Sequence, residues 1–350
     1  MYRERLSKFA RAMKSHGLHA AVLTKSTDIV YLAGFFCEKA MLIVTPGKRT
    51  VYLIDTMNHS LAASELKAQP IEVVMSSDKA AFLSDWIRNA RVKKLGIDYG
   101  SFSLDIFMNV KSEAPRVDFV DASEPIGRTR EIKDDGEITL IKKAAKLTSA
   151  VWKFAVKNIA TGMTEVEVAH MIDSRIREIG YTNSFKTIAA AGSNSAFPHA
   201  IPGSKVYRKN DHLILDFGLV AGNYCSDLTR VLSNGRMKRE ISALYDAVKH
   251  VHDEAIKMIK PGIKISSLVK RSHKYFIDNN FGKYVAHGLG HGLGMDVHER
   301  PFISGVNDSV LKNNMVITIE PGLYVPGLGG VRIEDMVLVN QKGCEVLSVC

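Results

Sequence analysis

The chain of 350 residues is long enough for two domains, and its 46% hydrophobic and 24% charged residues are ordinary for a globular protein. No stretch approaches the roughly 18–20 apolar residues of a membrane span, and the charged N-terminus lacks the apolar core of a secretory signal. The net charge is +10, but the lysines and arginines are scattered along the chain and no nucleic-acid-binding motif accompanies them. The four cysteines form no CxxC pair. We therefore expect a cytoplasmic protein that binds neither nucleic acid nor membrane.

Helices and strands alternate in the first part of the chain, from Tyr2 to about Ser123. This order is typical of an α/β domain on a mainly parallel or mixed sheet. It contains neither a GxGxxG nor a Walker phosphate-binding loop, so we expect a scaffolding or oligomerisation role. The polar stretch 126–134 (IGRTREIKD) predicts a linker between domains of residues 1–125 and 135–350. Predicted strands lie at 20–23, 40–45, 50–54, 71–75, 94–98 and 117–120.

The second half opens with a long amphipathic helix from Asp135. In the next predicted helix, 164–179, Thr164 and Glu167 have the spacing of a capping box. A strand at 185–191, a loop and a strand pair follow. Two further helices are predicted at 238–259 and 265–279, before a last set of strands. Two helices followed by a strand pair occur twice, an order of elements that hints at an internal duplication, although the residue-level similarity of the halves is too weak to assert it.

The apolar stretch Leu213–Leu232 carries one aspartate on each side of a turn-forming sequence, Ala221-Gly222-Asn223. A tight hairpin over Ala221 and Gly222 would place Asp216 directly opposite Asp227. Opposed side chains lie about 4.5–5.5 Å apart at Cβ, where like charges repel. Because the flanking residues predict buried strands, and buried carboxylates need a partner, we favour a divalent metal ion over two solvated surface aspartates.

A second acidic hairpin is predicted near the end of the chain. If the chain folds back symmetrically about Gly327, Glu320 opposes Glu334. Arg332 then lies two residues along the same face as Glu334. An exposed hairpin with solvated glutamates is the alternative, but two opposed acidic pairs in one chain are hard to attribute to chance.

Between the hairpins lies the sequence HGLGHGLGMDVHERP, which begins at His287 and also contains His291 and His298. A helix would bring His287 and His291 to one metal ion, but each of its glycines would cost roughly 1 kcal/mol. In an extended chain the two are about 13 Å apart, so at most one can be a ligand. Spacing does not decide which one. The glycines also allow a close approach of the backbone to a bound ligand.

Four carboxylates and one imidazole suit Mn²⁺, Co²⁺, Fe²⁺ or Zn²⁺. Two such ions about 3.5–4 Å apart can activate a water molecule and polarise a carbonyl group, which is hydrolysis without a covalent enzyme intermediate. No GxSxG elbow or cysteine nucleophile signature competes with this reading. We interpret Cys225 as packing near the site, and three further histidines as hydrogen-bonded structural residues: His212, His250 and His252.

The five candidate ligands stand in the motifs LDFG (Asp216), YCSDLTR (Asp227), HGLGHGLG (His291), TIEPGLY (Glu320) and VRIED (Glu334). This set resembles the pita-bread metallopeptidases, in particular their Xaa-Pro peptidase branch of prolidase and aminopeptidase P. The resemblance spans the whole chain and implies a creatinase-like α/β N-terminal domain followed by an α+β pita-bread catalytic domain.

The resemblance implies a peptidase that hydrolyses the Xaa-Pro bond of short proline-containing peptides, with two divalent metal ions. Mn²⁺ or Co²⁺ is expected first, and Zn²⁺ or Fe²⁺ second. It assigns Asp216 to one ion, His291 and Glu320 to the other, and Asp227 and Glu334 to both. It also implies a homodimer.

Further roles are implied for residues around the ligands. Glu320 would be the general base and proton shuttle, and His298 would hydrogen-bond the scissile carbonyl group. His199, in AFPHA, would contact the peptide near the scissile bond. His287 would be a pocket residue, and Arg332 would orient the acidic cluster.

One position departs from the family pattern. Many archaeal-type prolidases have an arginine after the proline of the HExP segment, where it can bind a dipeptide carboxylate. Phe302 stands there in this chain, with Arg300 nearby. Aminopeptidase P activity on longer peptides therefore stays open beside dipeptidase activity.

Three alternatives share the fold. A methionine aminopeptidase has the same ligands but lacks the N-terminal domain of about 125 residues. A catalytically silent binding protein, or a creatinase-like metal-free C–N hydrolase, is disfavoured because no ligand position is missing.

Overall fold

The computed structural model describes residues 1–47 and 49–348, and the backbone forms two compact units, Met1–Arg130 and Glu131–Cys350. A helix over Ser123–Glu131 runs through most of the stretch 126–134, which the sequence had predicted as a linker. Its polar residues pair along the helix, with Arg128 Nε donating to Glu124 Oε1 at 2.9 Å, while Ile126 is buried. The polar composition therefore reflects an amphipathic helix and not a turn-rich connection.

Over residues 1–47 and 49–130, the first unit contains six strands and the helices that connect them. The helices are α1 (Tyr2–Ser15), α2 (Ser26–Ala33), α3 (His59–Leu66), α4 (Lys79–Asn89), α5 (Leu104–Glu113) and α6 (Ser123–Glu131). The strands are β1 (Ala20–Leu23), β2 (Met41–Val44), β3 (Thr50–Ile54), β4 (Glu72–Met75), β5 (Lys94–Ile97) and β6 (Asp118–Asp121).

These strands form one mixed sheet in the order β4-β3-β2-β1-β5-β6. The pairs β1–β2 and β2–β3 are antiparallel, and the outer pairs are parallel. Residues such as Val22, Leu53 and Leu95 build its core against α4 and α5. The predicted α/β class of this half is confirmed.

In its described part, residues 131–348, the second unit contains four long helices and thirteen short strands. The helices are α7 (Asp135–Asn158), α8 (Glu165–Glu178), α9 (Arg239–Met258) and α10 (Ile265–Asp278). The strands are β7 (Thr182–Asn183), β8 (Ile188–Ala191), β9 (His212–Phe217), β10 (Leu219–Ala221), β11 (Tyr224–Cys225), β12 (Leu228–Ser233), β13 (Gly290–Gly292), β14 (Glu299–Ile303), β15 (Val316–Ile319), β16 (Gly322–Val325), β17 (Gly329–Arg332), β18 (Asp335–Asn340) and β19 (Gly343–Val346).

Two helix starts in this unit follow the local sequence closely. The α7 N-terminus is closed by a capping box between Asp134 and Glu137, and the α8 N-terminus by the predicted box between Thr164 and Glu167. The strand predicted at 185–191 forms only over Ile188–Ala191.

The two halves of this unit repeat one arrangement. The turn before α8 contains Gly162, and the turn before α10 contains Gly262, both with positive φ. Each glycine N–H donates to the backbone of a returning segment, at Tyr207 and Leu311 respectively. The first half packs α7 and α8 on one apolar core, and the second packs α9 and α10 on another. This repetition agrees with the internal duplication indicated by the order of elements.

The strands of the second unit form several small sheets, with the orders β11-β10-β7, β12-β9-β8, β14-β13-β15-β18-β19 and β16-β17. The first two sheets contain the aspartate hairpin, and the last two contain the glutamate hairpin. Within residues 1–47 and 49–348, no helix has the length and apolar character required to cross a bilayer.

Candidate metal centre

The aspartate hairpin turns at Gly222-Asn223, one residue later than predicted. Ala221 pairs with Tyr224, and both turn residues have positive φ, at 58° and 69°, as a two-residue type I′ turn requires. Asp216 therefore faces Thr229 and not Asp227. The predicted direct opposition is wrong.

Moving the turn by one residue changes the partner of Asp216 by two residues, from Asp227 to Thr229. Both aspartates still lie on one side of the hairpin, because alternate residues of a strand share a face. The side chains of Asp216 and Asp227 are buried and line the same cavity. Gly218 follows Asp216 by two residues, and a Cβ there would stand 1.8 Å from the Ser226 carbonyl oxygen. This close approach lies between the β10–β11 ladder and the β9–β12 ladder of the hairpin.

The glutamate hairpin has the predicted register. Gly322 pairs with Arg332 on one side of the acidic pair, and Ile319 pairs with Asp335 on the other. Continuing either ladder places Glu320 opposite Glu334, as the symmetry about Gly327 predicts.

Thr229 joins the two hairpins. It pairs with Asp216 on one side and forms a bridge with Glu334 on the other. Its hydroxyl group donates to Glu334 Oε2 at 2.7 Å and accepts a hydrogen bond from Arg332 Nε at 3.1 Å. A neutral side chain thus aligns carboxylates that come from segments more than one hundred residues apart.

His291 reaches the same place from β13. Its Nε2 lies 3.8 Å from Asp227 Oδ2 and 3.4 Å from Glu320 Oε1. The flanking Gly290 and Gly292 are needed because a Cβ would lie 2.0 Å from the Thr318 carbonyl oxygen and 2.2 Å from that of Arg300. The close approach at these two glycines is thus to neighbouring backbone, whereas the sequence had suggested approach to a ligand.

The protonation of His291 suits a metal ligand. The ring Nδ1–H donates to the Gly292 carbonyl oxygen at 3.1 Å, which leaves the Nε2 lone pair directed at the carboxylates. Burial first, and the nearby His298 second, lower the pKa of His291 to about 4. The imidazole is therefore neutral at neutral pH and able to coordinate.

The carboxylates are buried without enough positive charge. Burial and the charge of Glu334 raise the pKa of Asp227 well above its usual range, and burial and Glu320 do the same for Glu334. Within the described residues, three buried carboxylate oxygen atoms lack a hydrogen-bond partner: Asp216 Oδ1, Asp227 Oδ1 and Glu334 Oε1. Such orphaned acceptors are costly unless a cation or a donor occupies the space between them.

These residues fit a divalent metal ion. Asp227, His291 and Glu334 each offer a ligand atom, and the three atoms lie within 4.8 Å of one another. Asp216 and Glu320 line the same cavity beside them. Oxygen and imidazole donors of this kind suit first-row divalent metals.

Arg332 supplies the fixed positive charge of the site. Its Nη2 donates to Asp216 Oδ2, and its Nη1 donates to the Tyr324 hydroxyl at 2.7 Å. That hydroxyl donates to His287 Nε2 at 2.8 Å, while His287 Nδ1 donates to the Gly288 carbonyl oxygen. These hydrogen bonds fix the orientation of His287 on the cavity wall and of Arg332 beside the four carboxylates. We call these carboxylates the acidic set: Asp216, Asp227, Glu320 and Glu334.

Glu320 is the carboxylate best placed to exchange protons. In the metal-free chain burial raises its pKa to about 7, against the lowering effect of Arg332. Its side chain retains 18% exposure, more than the 6% of Asp227. A partly accessible carboxyl group with a pKa near the working pH can accept and return a proton.

The site opens into a cavity of about 580 Å³. All nine residues predicted for the site line it: His199, Asp216, Asp227, His287, His291, His298, Glu320, Arg332 and Glu334. His199 and His298 are exposed on its wall, and the His298 ring centroid lies 4.3 Å from that of His291. Phe302 also lines the cavity and is 52% exposed.

Comparison with known families then decides the class. The model of metallopeptidase family M24 matches residues 139–341, and that of the creatinase/prolidase N-terminal domain matches residues 5–132. The chain belongs to metallopeptidase family M24.

The M24 chain is similar to solved structures over its whole length. It is 28% identical to an Xaa-Pro dipeptidase from Bacillus anthracis, with a TM-score of 0.93. The match covers 100% of this chain and 98% of that one. It is 30% identical to an X-Pro aminopeptidase from Thermotoga maritima, with a TM-score of 0.85 and coverage of 97% and 98%. It is also 32% identical to an uncharacterized peptidase of Staphylococcus aureus over 98% of each chain.

The predicted pita-bread fold and membership of the Xaa-Pro peptidase branch are confirmed, and the chain is a peptidase. M24 membership also implies divalent metal ions. The individual roles predicted for the site residues stay predictions.

Two residues of the M24 site were missed by the sequence reasoning. Thr229 lies two positions after Asp227, on the face that points to the acidic set, and this alternation could have identified it. Tyr324 lies in a Pro/Gly-rich connection and gave no signal, because its partners Arg332 and His287 meet it only in the folded chain.

The residues interpreted as structural make the contacts of packed side chains. Cys225 Sγ donates to the Met295 carbonyl oxygen at 3.4 Å. His212 Nε2 lies 2.8 Å from Ser195 Oγ, His252 Nε2 lies 3.1 Å from Asp335 Oδ2, and the His250 ring packs 4.1 Å from that of Tyr275.

Proposed function

We propose that this chain is a dinuclear metal-dependent peptidase that hydrolyses the bond before proline in short peptides. The observation that carries the proposal is the set of four carboxylates, three of them buried, around the neutral His291, with three oxygen atoms that lack a partner among the described residues. Two cations would neutralise this set. The names of the similar proteins, Xaa-Pro dipeptidase and X-Pro aminopeptidase, support the choice of bond.

The five ligand residues would hold the two ions as the family resemblance assigns them. When bound, such ions lower the pKa of water and polarise a carbonyl group. The proposed ions are Mn²⁺ or Co²⁺, with Zn²⁺ or Fe²⁺ as alternatives.

The side chains of this protein would then orient the substrate and move the proton. Glu320 would accept a proton from the attacking water molecule and return it to the leaving proline nitrogen, as its partial exposure to the cavity allows. His298 would donate a hydrogen bond to the scissile carbonyl oxygen, which develops negative charge in the transition state. His199, exposed on the same wall, would contact the peptide next to the scissile bond.

The cavity wall suits an apolar, ring-shaped residue. Phe185, Ile188, Val297 and Phe302 line it beside the acidic set, and such a surface favours a pyrrolidine ring over a charged side chain. Arg332 and Tyr324 would keep Asp216 and His287 in place while the substrate binds.

The test compares peptides and metals in parallel. Protein stripped of metal and reloaded with Mn²⁺, Co²⁺, Zn²⁺ or Fe²⁺ is assayed on Ala-Pro, Ala-Pro-Ala, Ala-Ala and Met-Ala-Ser. We expect cleavage of the proline peptides alone and two bound ions per chain by metal analysis. Cleavage of Met-Ala-Ser without Ala-Pro would indicate a methionine aminopeptidase. A protein that binds no metal stoichiometrically would indicate a binding module.

The cellular setting follows the same proposal. We propose a cytoplasmic homodimer whose partners are short proline-containing peptides, as the family resemblance implies. Size-exclusion chromatography with light scattering would test the dimer.

A further inference from the structure

Lys186 is a positive charge on the cavity wall that nothing in the described protein neutralises. Among the residues that line the cavity, Lys186 and Arg332 carry a permanent positive charge. Arg332 is engaged by Asp216, by Tyr324 and by the Pro198 carbonyl oxygen at 3.1 Å. Lys186 is exposed and makes no hydrogen bond or ion pair with any residue of the ranges 1–47 and 49–348. A free ammonium group is thus available to a bound ligand.

The chain places Lys186 close to the acidic set. Ile188, the first residue of β8, lies directly opposite Asp216 on β9. The Thr187 hydroxyl group donates to Asp173 Oδ1 at 2.6 Å, which anchors the preceding segment to α8. Lys186, two residues before Ile188, lines the cavity together with it.

The separation of Lys186 from the acidic set matches the length of a short peptide. Two residues of chain span at most about 7 Å, so the Lys186 backbone lies no farther than that from the point opposite Asp216. One residue of extended peptide spans about 3.3–3.6 Å. A carboxylate one or two residues beyond a bond held at the acidic set would therefore fall within reach of the lysine side chain.

We propose that Lys186 binds the C-terminal carboxylate of a short peptide substrate and thereby determines a preference for peptides with a free carboxyl end. The inference rests on the proposed function and deepens it, since it names the substrates as dipeptides and tripeptides with a free carboxylate. The other candidates on the cavity wall are less suitable: His298 is the proposed partner of the scissile carbonyl oxygen, and Phe302 carries no charge.

The expected effect of Lys186 is moderate because its side chain is exposed. Exposed ion pairs contribute roughly fivefold or less to an equilibrium, whereas hydrogen bonds between charged groups contribute up to roughly a hundredfold. A substrate carboxylate that displaces water from the cavity lies between these limits, so we expect about a tenfold effect. The attraction should also weaken as the ionic strength rises.

The experiment uses a matched pair of substrates that differ only in the terminal charge. kcat/KM is measured for Ala-Pro and for its C-terminal amide with metal-loaded wild type, Lys186→Met and Lys186→Arg. Lys209→Met is the control variant, because Lys209 is equally exposed but does not line the cavity.

We expect Lys186→Met to lose about tenfold on Ala-Pro through KM, with kcat and the amide unchanged. Lys186→Arg should restore most of the loss, and Lys209→Met should behave as wild type. Raising the salt concentration should reduce the difference between the two substrates in wild type but not in Lys186→Met.

Failure of the inference differs from failure of the function. A wild type that cleaves both substrates, with Lys186→Met affecting neither or affecting both equally, overturns the role of Lys186 and leaves the Xaa-Pro peptidase intact. A metal-loaded wild type that cleaves neither of these substrates, nor Ala-Pro-Ala, overturns both.

Discussion

Asp28 in the first unit and the acidic set in the second handle buried charge in opposite ways. In the first, the buried Asp28 is paired with Arg130 at 2.6 Å. In the second, Asp227 and Glu334 are buried among other carboxylates. Burial and the negative charges of these neighbouring carboxylates raise both pKa values well above the usual range. Complete pairing is what a stable scaffold needs, whereas a deficit of positive charge marks the place where a cation and a substrate can bind. The comparison therefore separates the scaffold from the site without reference to any relative.

The unpartnered buried atoms support the same distinction. Within the described ranges, those of the first unit are neutral groups, Ser84 Oγ and Trp86 Nε1. Those of the second include oxygen atoms of three carboxylates that line one cavity. A buried hydroxyl group without a partner is a small local penalty, but converging carboxylate oxygens without partners indicate a missing cation.

The largest expected effect is loss of hydrolysis in Asp227→Asn. The amide removes a negative ligand from the acidic set, so we expect kcat/KM on Ala-Pro to fall at least about a thousandfold. The free energy of unfolding of the metal-free protein should stay the same or rise, because one of several like charges is gone. Asp246→Asn, at an exposed position of α9, is the control. Unchanged turnover in Asp227→Asn would remove the acidic set from the mechanism.

The same substitution in the first unit should act in the opposite direction. Asp28→Asn leaves the buried Arg130 guanidinium without its carboxylate, which costs about 3–5 kcal/mol. Urea denaturation followed by Trp86 fluorescence measures this loss in a Trp152→Phe background, since the chain has only two tryptophans. If Asp28→Asn and Asp227→Asn change stability equally, the contrast between paired and unpaired charge is wrong.

Local patterns were sufficient for most elements of both units. Alternating helices and strands predicted the mixed sheet, and the capping box at Thr164 was correct because it depends on residues three positions apart. The register of the glutamate hairpin followed from the symmetry of its flanking strands. The helix Ser123–Glu131 was missed because its polar face was taken for a linker.

The candidate site was predicted in composition more than in geometry. Three successive turn-forming residues, Ala221-Gly222-Asn223, allow two hairpin registers, and only the folded chain shows that Gly222 and Asn223 adopt positive φ. The parity of the strands kept Asp216 and Asp227 on one face in either register. The contacts of Thr229 with Glu334 join segments 105 residues apart, which periodicity along the chain does not reveal.

A smaller effect is expected from pH at His212. Burial lowers the pKa of His212 to about 4, below the unfolded value of about 6.5, so between these values the unfolded chain binds more protons than the folded one. Stability from the neutral imidazole is therefore complete above about pH 6.5 and is lost as the pH falls toward about 4. The loss is up to about 3 kcal/mol.

The variant His212→Gln isolates this contribution, because glutamine can still pair with Ser195 but does not titrate. Urea denaturation at a series of pH values should give a difference between wild type and variant that is constant above about pH 7 and moves about 3 kcal/mol against wild type by about pH 4. A difference that does not change with pH would show that His212 titrates normally in the fold.

The smallest expected effect tests whether the two units respond separately to metal. A cation that binds only the folded second unit stabilises it by about 2.7 kcal/mol at a free concentration of one hundred times its Kd. Adding Mn²⁺ to stripped protein should raise the urea midpoint reported by Trp152, which lies in α7, and leave the Trp86 transition in place. Asp227→Asn should abolish the Trp152 shift, because it removes a ligand from the acidic set. If both transitions move together, the units unfold as one, and the charge deficit at the metal centre then limits the stability of the whole chain and not of the second unit alone.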